Sequence, residues 1–434
     1  MDLMSKDALQ KSDDSVQLVT FGCRLNSYES EVMKSHATTA GLENTIIINT
    51  CAVTAEAERQ ARQSIRKMRR QNPDAKIIVT GCAVQIRPEQ FAAMPEIDLL
   101  LGNHEKMLFE SYKPRVGNDV ERVQVTDIMT IQETAHQLIE GFEEKSRAFL
   151  QVQNGCDHRC TFCTIPFGRG NSRSVPIGVI ADHVKKLIDS GYQEIVFTGV
   201  DVTAYGADLP GSPTFGQMIR RVLNQNPGLK RLRLSSLDPV EIDDDLWDLI
   251  AHEERLMPHL HVSLQAGDDM ILKRMKRRHL RDDAIEFCKR ARAVRPNIVF
   301  GADLIAGFPT ETDEMFENTM RIVDECDLTW LHVFPYSPRD GTPAARMPQV
   351  ESVIRKERAA RLRAKGEEKV KAYLQSCVGR ETELLIEKNS MGRSPEFAEV
   401  HLEPQEGSEL QIGSVQRAKI THFDGEKLFG VILG

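Results

Sequence analysis

The chain of 434 residues contains no run near the ~20 consecutive apolar residues that a membrane-spanning helix requires. No membrane association is therefore expected. Its first residues, Met1, Asp2, Leu3, Met4, Ser5 and Lys6, lack the charged-then-apolar pattern of a secretory leader, so a cytoplasmic protein with reduced thiols is expected. No glycine-rich loop ends in Lys-Ser or Lys-Thr, which argues against nucleotide hydrolysis. The His252-Glu253-Glu254 stretch lacks the second histidine of a zinc-protease helix. There is no repeat of solenoid length and no low-complexity tract. Net positive charge is also missing. The formal charge is −8, whereas a dedicated nucleic-acid binder is usually basic. A chain of this length builds cores without covalent staples, so its nine cysteines are not a disulfide scaffold. In a reducing compartment they are buried hydrophobes, catalysts or metal ligands.

The overall charge hides local clusters. Arg59, Arg62, Arg66, Lys67, Arg69 and Arg70 crowd one helical stretch. Lys273, Arg274, Lys276, Arg277, Arg278 and Arg281 form a second, and Arg355, Lys356, Arg358, Arg361, Arg363 and Lys365 a third. Each alone fits a solvated helix face. Together they fit a track for a polyanion, provided they converge on one surface.

Hydrophobic patterning divides the chain. Residues 1–13 are polar and read as a flexible tail. Apolar β-branched runs at 16–21, 45–49 and 76–80 alternate with helical stretches at 27–40 and 54–71. That rhythm predicts an open parallel α/β domain over 14–125, with both sheet faces covered. Residues 126–145 read as a linker. Strands are predicted again at 147–153, 194–200, 231–236, 259–264, 299–306 and 330–334, the first five each followed by a helix. Six βα units fit a partial (β/α)6 barrel, which with a charged helix from 351 spans 146–373. Short strands at 382–387, 396–401, 416–421 and 428–433 predict a small β-barrel over 374–434. The fold class is therefore α/β followed by a small all-β unit.

Two groups of three cysteines carry chemistry. Cys23, Cys51 and Cys82 each follow the carboxyl end of one of three successive strands. Those ends share one edge of a parallel sheet, where ligands bind. With strands ~4.8 Å apart, three such tips fall within about 10 Å of one another, close enough to share a metal centre. A tetrahedral zinc would need a fourth ligand, whereas an iron–sulfur cube held by three thiolates keeps one iron open. Cys156, Cys160 and Cys163 form a C-x3-C-x2-C loop after the first strand of the second domain. Three thiolates on one tight loop hold three corners of a [4Fe–4S] cube. A zinc knuckle completed by His158 is the alternative. Cys288, Cys326 and Cys377 read as structural.

The C-x3-C-x-aromatic-C pattern, with Phe162 in the aromatic slot, resembles the radical S-adenosylmethionine superfamily. That resemblance implies that the open iron chelates the cofactor and that a 5′-deoxyadenosyl radical is released. It also implies cofactor contacts at later strand ends. Phe162, Gly199, Asp201, Ser263, Gln265, Ile305 and Gly307 occupy those positions, although Asp201 stands where the family's Gly-Gly-Glu-like motif would be. Taken with the first cysteine trio, the chain resembles the methylthiotransferase family over nearly its whole length. The matching segments are Gly22-Cys23-Arg24-Leu25-Asn26-Ser27-Tyr28-Glu29-Ser30, Asn49-Thr50-Cys51-Ala52-Val53-Thr54 and Thr80-Gly81-Cys82-Ala83. His332 to Ser337 and Arg339 to Thr342 match the exit of the radical domain.

The resemblance implies two [4Fe–4S] clusters and two molecules of S-adenosylmethionine, one methylating a sulfur and one supplying the radical. It is closest to the branch that methylthiolates carbon 2 of N6-threonylcarbamoyladenosine at position 37 of tRNA. The branches acting on isopentenyladenosine-37 or on an aspartate of a ribosomal protein are the alternatives. The expected partner is a tRNA anticodon loop, with a sulfur donor and a one-electron donor left unidentified, and a monomer is expected. The terminal barrel resembles the TRAM module. From Leu374 onward it holds six Lys/Arg against ten Asp/Glu, so RNA affinity is expected to come from the three cationic clusters.

Overall fold

The computed structural model describes residues 16–113, 121–132, 146–403 and 410–433. The expected tail at 1–13, and residues 133–145 of the expected linker, lie outside the described residues.

Parallel strands β1 (Val16–Thr20), β2 (Thr45–Thr50), β3 (Lys76–Gly81), β4 (Leu99–Leu101) and β5 (Val123–Gln124) form one sheet in chain order. Every residue of β2 is buried, as an interior strand with both faces covered requires. Side chains alternate across it: Ile46 and Ile48 pack towards Ile65 and Met68 of α2 (Ala55–Gln71). Ile47 packs on the other face with Met33 and Ala37 of α1 (Arg24–Thr39). Thr54 caps α2 by accepting from the Ala57 amide, acidic residues fill its first turn and arginines its last. Short helices α3 (Cys82–Ile86) and α4 (Pro88–Ala92) complete the lobe. Helix α1 begins at Arg24, three residues before the expected start, because Cys23 itself occupies the cap position.

The second lobe is a six-stranded open barrel. Strands β6 (Ala148–Gln151), β9 (Glu194–Thr198) and β10 (Arg231–Leu234) pair in parallel, as do β11 (His259–Gln265), β12 (Val299–Ala306) and β13 (Leu328–Pro335). A parallel bridge from Leu237 to Val262 joins the two halves. A small antiparallel pair, β7 (Gln153–Asn154) and β8 (Arg173–Ser174), frames the second cysteine loop, which runs into α5 (Ile165–Arg169). Helices α6 (Ile177–Asp189), α7 (Phe215–Gln225), α8 (Asp244–His252), α9 (Asp269–Met275), α10 (Arg281–Val294) and α11 (Asp313–Glu325) cover the outside. The 26-residue helix α12 (Ser352–Cys377) follows β13, and its Ala359 and Leu362 enter the barrel core.

The third lobe is a closed barrel in the order β14-β15-β16-β18-β17. Its strands are β14 (Glu381–Lys388), β15 (Met391–Arg393), β16 (Glu399–Leu402), β17 (Val415–Phe423) and β18 (Leu428–Ile432). The sequence suggested four strands, and the extra one is the three-residue β15, too short to show alternation. Cys377 is buried in this lobe's core, and Cys288 and Cys326 are buried in the main core, as structural cysteines would be.

The outer lobes close what the open barrel leaves open. Leu25, Tyr28 and Val32 of α1 join the same core as Ala148 and Leu150 of β6. Arg339, just past β13, pairs with the buried Glu58 of α2. The third lobe inserts Phe397, held at φ +77°, against His259, with ring centroids 5.1 Å apart and nearly parallel planes. Guanidinium groups of Arg393, Arg233, Arg147 and Arg24 surround that ring at 4.6, 5.0, 5.7 and 5.9 Å.

The first two lobes are fastened by a buried charge cluster. Glu29 of α1 accepts from the Lys106 ammonium at 2.7 Å and from Arg169 of α5 at 2.5 and 3.0 Å. All three side chains are almost fully excluded from solvent. Burial would raise the Glu29 pKa, but Arg169 and Lys106 outweigh it and hold the carboxyl below its ordinary range. Its contribution to stability is thus complete above the unfolded carboxyl pKa of about 4.3 and is lost as pH falls through the lower folded value. A Glu29→Gln substitution leaves two buried cations without their anion. It should cost about 3–5 kcal/mol in denaturant unfolding at neutral pH and remove this part of the acid dependence.

Candidate functional site: two thiol trios across one joint

Cys23, Cys51 and Cys82 lie at the carboxyl ends of β1, β2 and β3, which are neighbours in the sheet. Two glycines allow the close approach. A Cβ on Gly22, at φ +102°, would lie 2.9 Å from the Cys51 sulfur. A Cβ on Gly81, at φ +103°, would lie 2.3 Å from the Thr50 carbonyl. The strand tips are tied by amides: Asn26 donates to the carbonyls of Phe21 (2.6 Å) and Thr50 (3.2 Å), and Asn49 donates to that of Asn26 (3.1 Å). Cys23 is exposed and Cys51 and Cys82 are buried. Burial, then the neighbouring Cys82 and Cys23, push the Cys51 thiol up to about 12.

Cys156, Cys160 and Cys163 sit in the loop between β7 and α5. Gly155, at φ +74°, passes so close to Asn171 that a Cβ would overlap its carbonyl. Cys156 faces Asp201 at 3.5 Å, so Asp201 does stand beside this trio. Arg277 donates to the Cys160 sulfur (3.7 Å), to the Ser263 carbonyl (2.7 Å) and to Asp238 (2.9 Å). Burial raises the Cys160 thiol pKa, but the His158 hydrogen bond and Arg277 bring it below the ordinary value. Burial pushes Cys163 up to about 12, and Cys82 of the other trio adds to the rise.

The two trios face one another. Gly168 of α5 packs against Cys82, and Asn103 donates both to the Gly168 carbonyl (2.5 Å) and to the Cys82 sulfur (3.6 Å). Arg169 reaches Asn26 at 2.5 Å, three residues from Cys23. Sequence reasoning did not reach Asn103, Arg169 or Lys106. They are remote in the chain, and only the three-dimensional joint reveals them.

The spacing of the sulfurs discriminates between metals. A single tetrahedral zinc with bonds of ~2.3 Å draws its sulfurs to about 3.8 Å apart. Among the described residues, the only sets of three His, Cys, Asp or Glu donors lying within 4.8 Å of one another are His261, Asp303 and His332, and His158, Asp201 and Glu241. Neither thiol trio is that tight, so each fits a cluster better than one ion. His158, the candidate fourth zinc ligand, stands beside Cys160, with its Nε2 3.0 Å from Asp201 and 3.6 Å from Glu241.

The remaining expected cofactor contacts fall at strand ends above the barrel. Gly199 directly follows β9, and the next two amides, Val200 and Asp201, donate to the Gln153 side chain. Gln265 ends β11 at φ +68°. Phe162 and Ile305 share an apolar cluster, and Phe162 meets Phe308 edge-on at 6.3 Å. Gly307 has a packing reason of its own, because a Cβ there would lie 2.4 Å from Arg355.

Several members of the cationic clusters are held by groups of the protein itself. Arg69 binds Asp98 and the Glu96, Pro73 and Ala75 carbonyls. Arg281 binds the Gly267 and Asn318 carbonyls, and Arg358 is buried on Glu311. Lys67, Arg70, Lys273, Lys276, Lys356 and Arg363 are exposed. The expected track is therefore thinner than the sequence suggested.

The Radical SAM superfamily matches residues 150–323, and a family described as uncharacterized protein family UPF0004 matches 15–102. Threonylcarbamoyladenosine tRNA methylthiotransferase MtaB of Rickettsia prowazekii is 56% identical over 404 residues, 93% of this chain and 94% of its own. The protein of that name from Bacillus subtilis is 33% identical over 384 residues, 86% of this chain and 85% of its own. The tRNA-2-methylthio-N(6)-dimethylallyladenosine synthase of Roseobacter denitrificans is 32% identical over 437 residues, 95% of this chain and 98% of its own. Among solved structures, the radical S-adenosylmethionine methyltransferase TsrM from Kitasatospora setae shares the fold, with a TM-score of 0.55 at 16% identity over 76% of each chain.

The thiols differ in burial and basicity, and the thiolate is the reactive form. In metal-free protein under native conditions, iodoacetamide should modify exposed Cys23 before the buried Cys51, Cys82, Cys288, Cys326 and Cys377, as read by time-resolved peptide mass mapping.

Proposed function

The chain belongs to the radical S-adenosylmethionine methylthiotransferase family, and from that premise we propose that it methylthiolates carbon 2 of N6-threonylcarbamoyladenosine at position 37 of tRNA. The observation that carries this reading is the joint between the two thiol trios. Cys23, Cys51 and Cys82 would hold one [4Fe–4S] cluster, and Cys156, Cys160 and Cys163 the other. When bound, these clusters and S-adenosylmethionine supply the one-electron and sulfur chemistry that no protein side chain provides at an unactivated C–H bond. The chain's own residues do the positioning. Glu29, Lys106 and Arg169 fix the two lobes in register. Asn26 and Asn103 orient the sheet tips. Arg277 places a cation against Cys160 and ties it to the end of β11. Ser263, Gln265, Phe162 and Ile305 offer polar and apolar surface at the strand ends for the cofactor. The threonylcarbamoyl substrate is favoured over the dimethylallyl one by the 56% identity to the threonylcarbamoyladenosine methylthiotransferase of Rickettsia prowazekii, against 32% to the dimethylallyladenosine synthase of Roseobacter denitrificans.

Anaerobically reconstituted protein should absorb near ~400 nm and carry about eight irons per chain. Cys160→Ala should abolish 5′-deoxyadenosine release. Cys51→Ala should keep that release but yield no methylthiolated nucleoside, as read by nucleoside mass spectrometry. Cleavage of the cofactor by the Cys160→Ala protein would refute the assignment.

RNA affinity rests on the exposed cations of the three clusters, so it should fall with added salt. Replacing Lys67 and Arg70 together should reduce that slope by up to about two phosphate contacts, as read by binding at several ionic strengths.

A further inference from the structure

The barrel interior holds a second polar constellation that the thiol trios do not use. His261 of β11 and His332 of β13 both bond the same oxygen of Asp303 on β12, at 3.1 and 3.2 Å. A carboxylate only accepts, so each ring donates an N–H to it. Gly301 makes room for this arrangement, because a Cβ there would lie 2.5 Å from His261 Nδ1. His332 Nδ1 is committed to Asp303, and no group among the described residues partners its Nε2. The constellation is not sealed: the side chains of Asp303 and His332 keep 22% and 27% of their exposure.

Arg24 enters the same space from the first lobe. Its guanidinium lies against Phe397 and within electrostatic reach of Arg147, Arg233, Asp303 and Glu194. No carboxylate or carbonyl among the described residues accepts a hydrogen bond from it. A half-buried guanidinium with no hydrogen-bond partner among the described residues offers five donors to a planar anion. The surrounding charge agrees, with three guanidinium groups against two carboxylates.

The chain ties this constellation to both trios. Arg24 follows Cys23 directly. His261 lies two residues before Ser263 on the same face of β11, roughly 7 Å along the strand, and the Ser263 carbonyl is held by the arginine that contacts Cys160. A base presented to both trios therefore has this constellation within reach of a substituent about that long.

We propose that Arg24 and His332 bind the carboxylate of the substrate's N6 substituent, His332 as an imidazolium whose Nε2–H donates to the ligand while its Nδ1–H is held by Asp303, with Asp303 and His261 as positioning residues that orient the His332 ring. The proposal rests on the threonylcarbamoyladenosine reading and adds the residues that would enforce it.

The test uses reconstituted protein and three anticodon stem-loop RNAs. Position 37 carries threonylcarbamoyladenosine, its neutral carboxamide analogue, or unmodified adenosine. Wild type should favour the carboxylate over the carboxamide by about tenfold or more in kcat/KM, expressed mainly in KM. Arg24→Met should bring that ratio close to one, Arg24→Lys should restore part of it, and His332→Asn should lower it. His332 touches no cysteine, so His332→Asn decides the matter if Arg24→Met loses iron. Survival of the full preference in His332→Asn and in any iron-replete Arg24→Met protein overturns the proposal. Equal use of carboxylate and carboxamide by wild type, with both favoured over adenosine, also overturns it and leaves the substrate reading standing. Equal use of threonylcarbamoyladenosine and adenosine overturns the substrate reading itself.

Discussion

A carboxylate shut away from water stays ionised only where cations are brought to it, and the Glu29 side chain, almost wholly excluded from solvent, has two. Lys106 arrives from the turn after β4, and Arg169 from the helix that follows the second cysteine loop. Neither partner can leave without stranding a charge in a medium that solvates it poorly, so the three move together or not at all. The net stability of such a cluster is modest compared with apolar packing, and its physical consequence is register. Asn26, one turn before Glu29, bonds Arg169 and the strand tip that carries Cys51. A single ionic joint thereby sets where Cys23, Cys51 and Cys163 stand relative to one another.

The open barrel makes this joint necessary. Six parallel strands that do not close leave two edges and an accessible interior. The first lobe covers the edge at β6 with α1 and reaches past β13 through Glu58 and Arg339. The third lobe seals the other mouth with Phe397, whose left-handed backbone is held by Ser394 and by the Arg233 contacts to Ser394 and Pro395. Side chains of all three lobes meet there around Phe397. The thiol trios lie at one end and the aromatic plug at the other.

Much of this was legible in the sequence. Cysteines just beyond β-branched runs mark strand ends, and C-x3-C-x2-C places three thiols on one loop, because both depend on local spacing. The six βα units and the terminal barrel follow from the same periodicities. The joint was not legible, since residues 29, 106 and 169 meet only through the tertiary fold. The cationic clusters misled for a related reason. Helical spacing places Arg277 and Arg358 among surface-looking charges, yet the structure turns both inward onto Asp238 and Glu311. Arg24 looked like one letter of a cysteine motif, and its value as a buried cation appears only when the barrel interior is seen around it.

That interior also decides between two uses for the His261, Asp303 and His332 set. Its donors are close enough for a divalent cation. A cation would have to displace the protons that both rings direct at Asp303, and it would join a space already lined by Arg24 and Arg233. An anion meets the opposite conditions: it finds a guanidinium with no hydrogen-bond partner among the described residues and leaves both rings the protons they direct at Asp303. A substituent that is apolar there would leave the guanidinium desolvated and unpaired, a penalty that falls on the wrong substrate and not on the right one. Discrimination against a hydrocarbon substituent is therefore expected to come less from contacts made with the carboxylate than from the charge an impostor would strand, which is the same physics that holds Glu29 between Lys106 and Arg169.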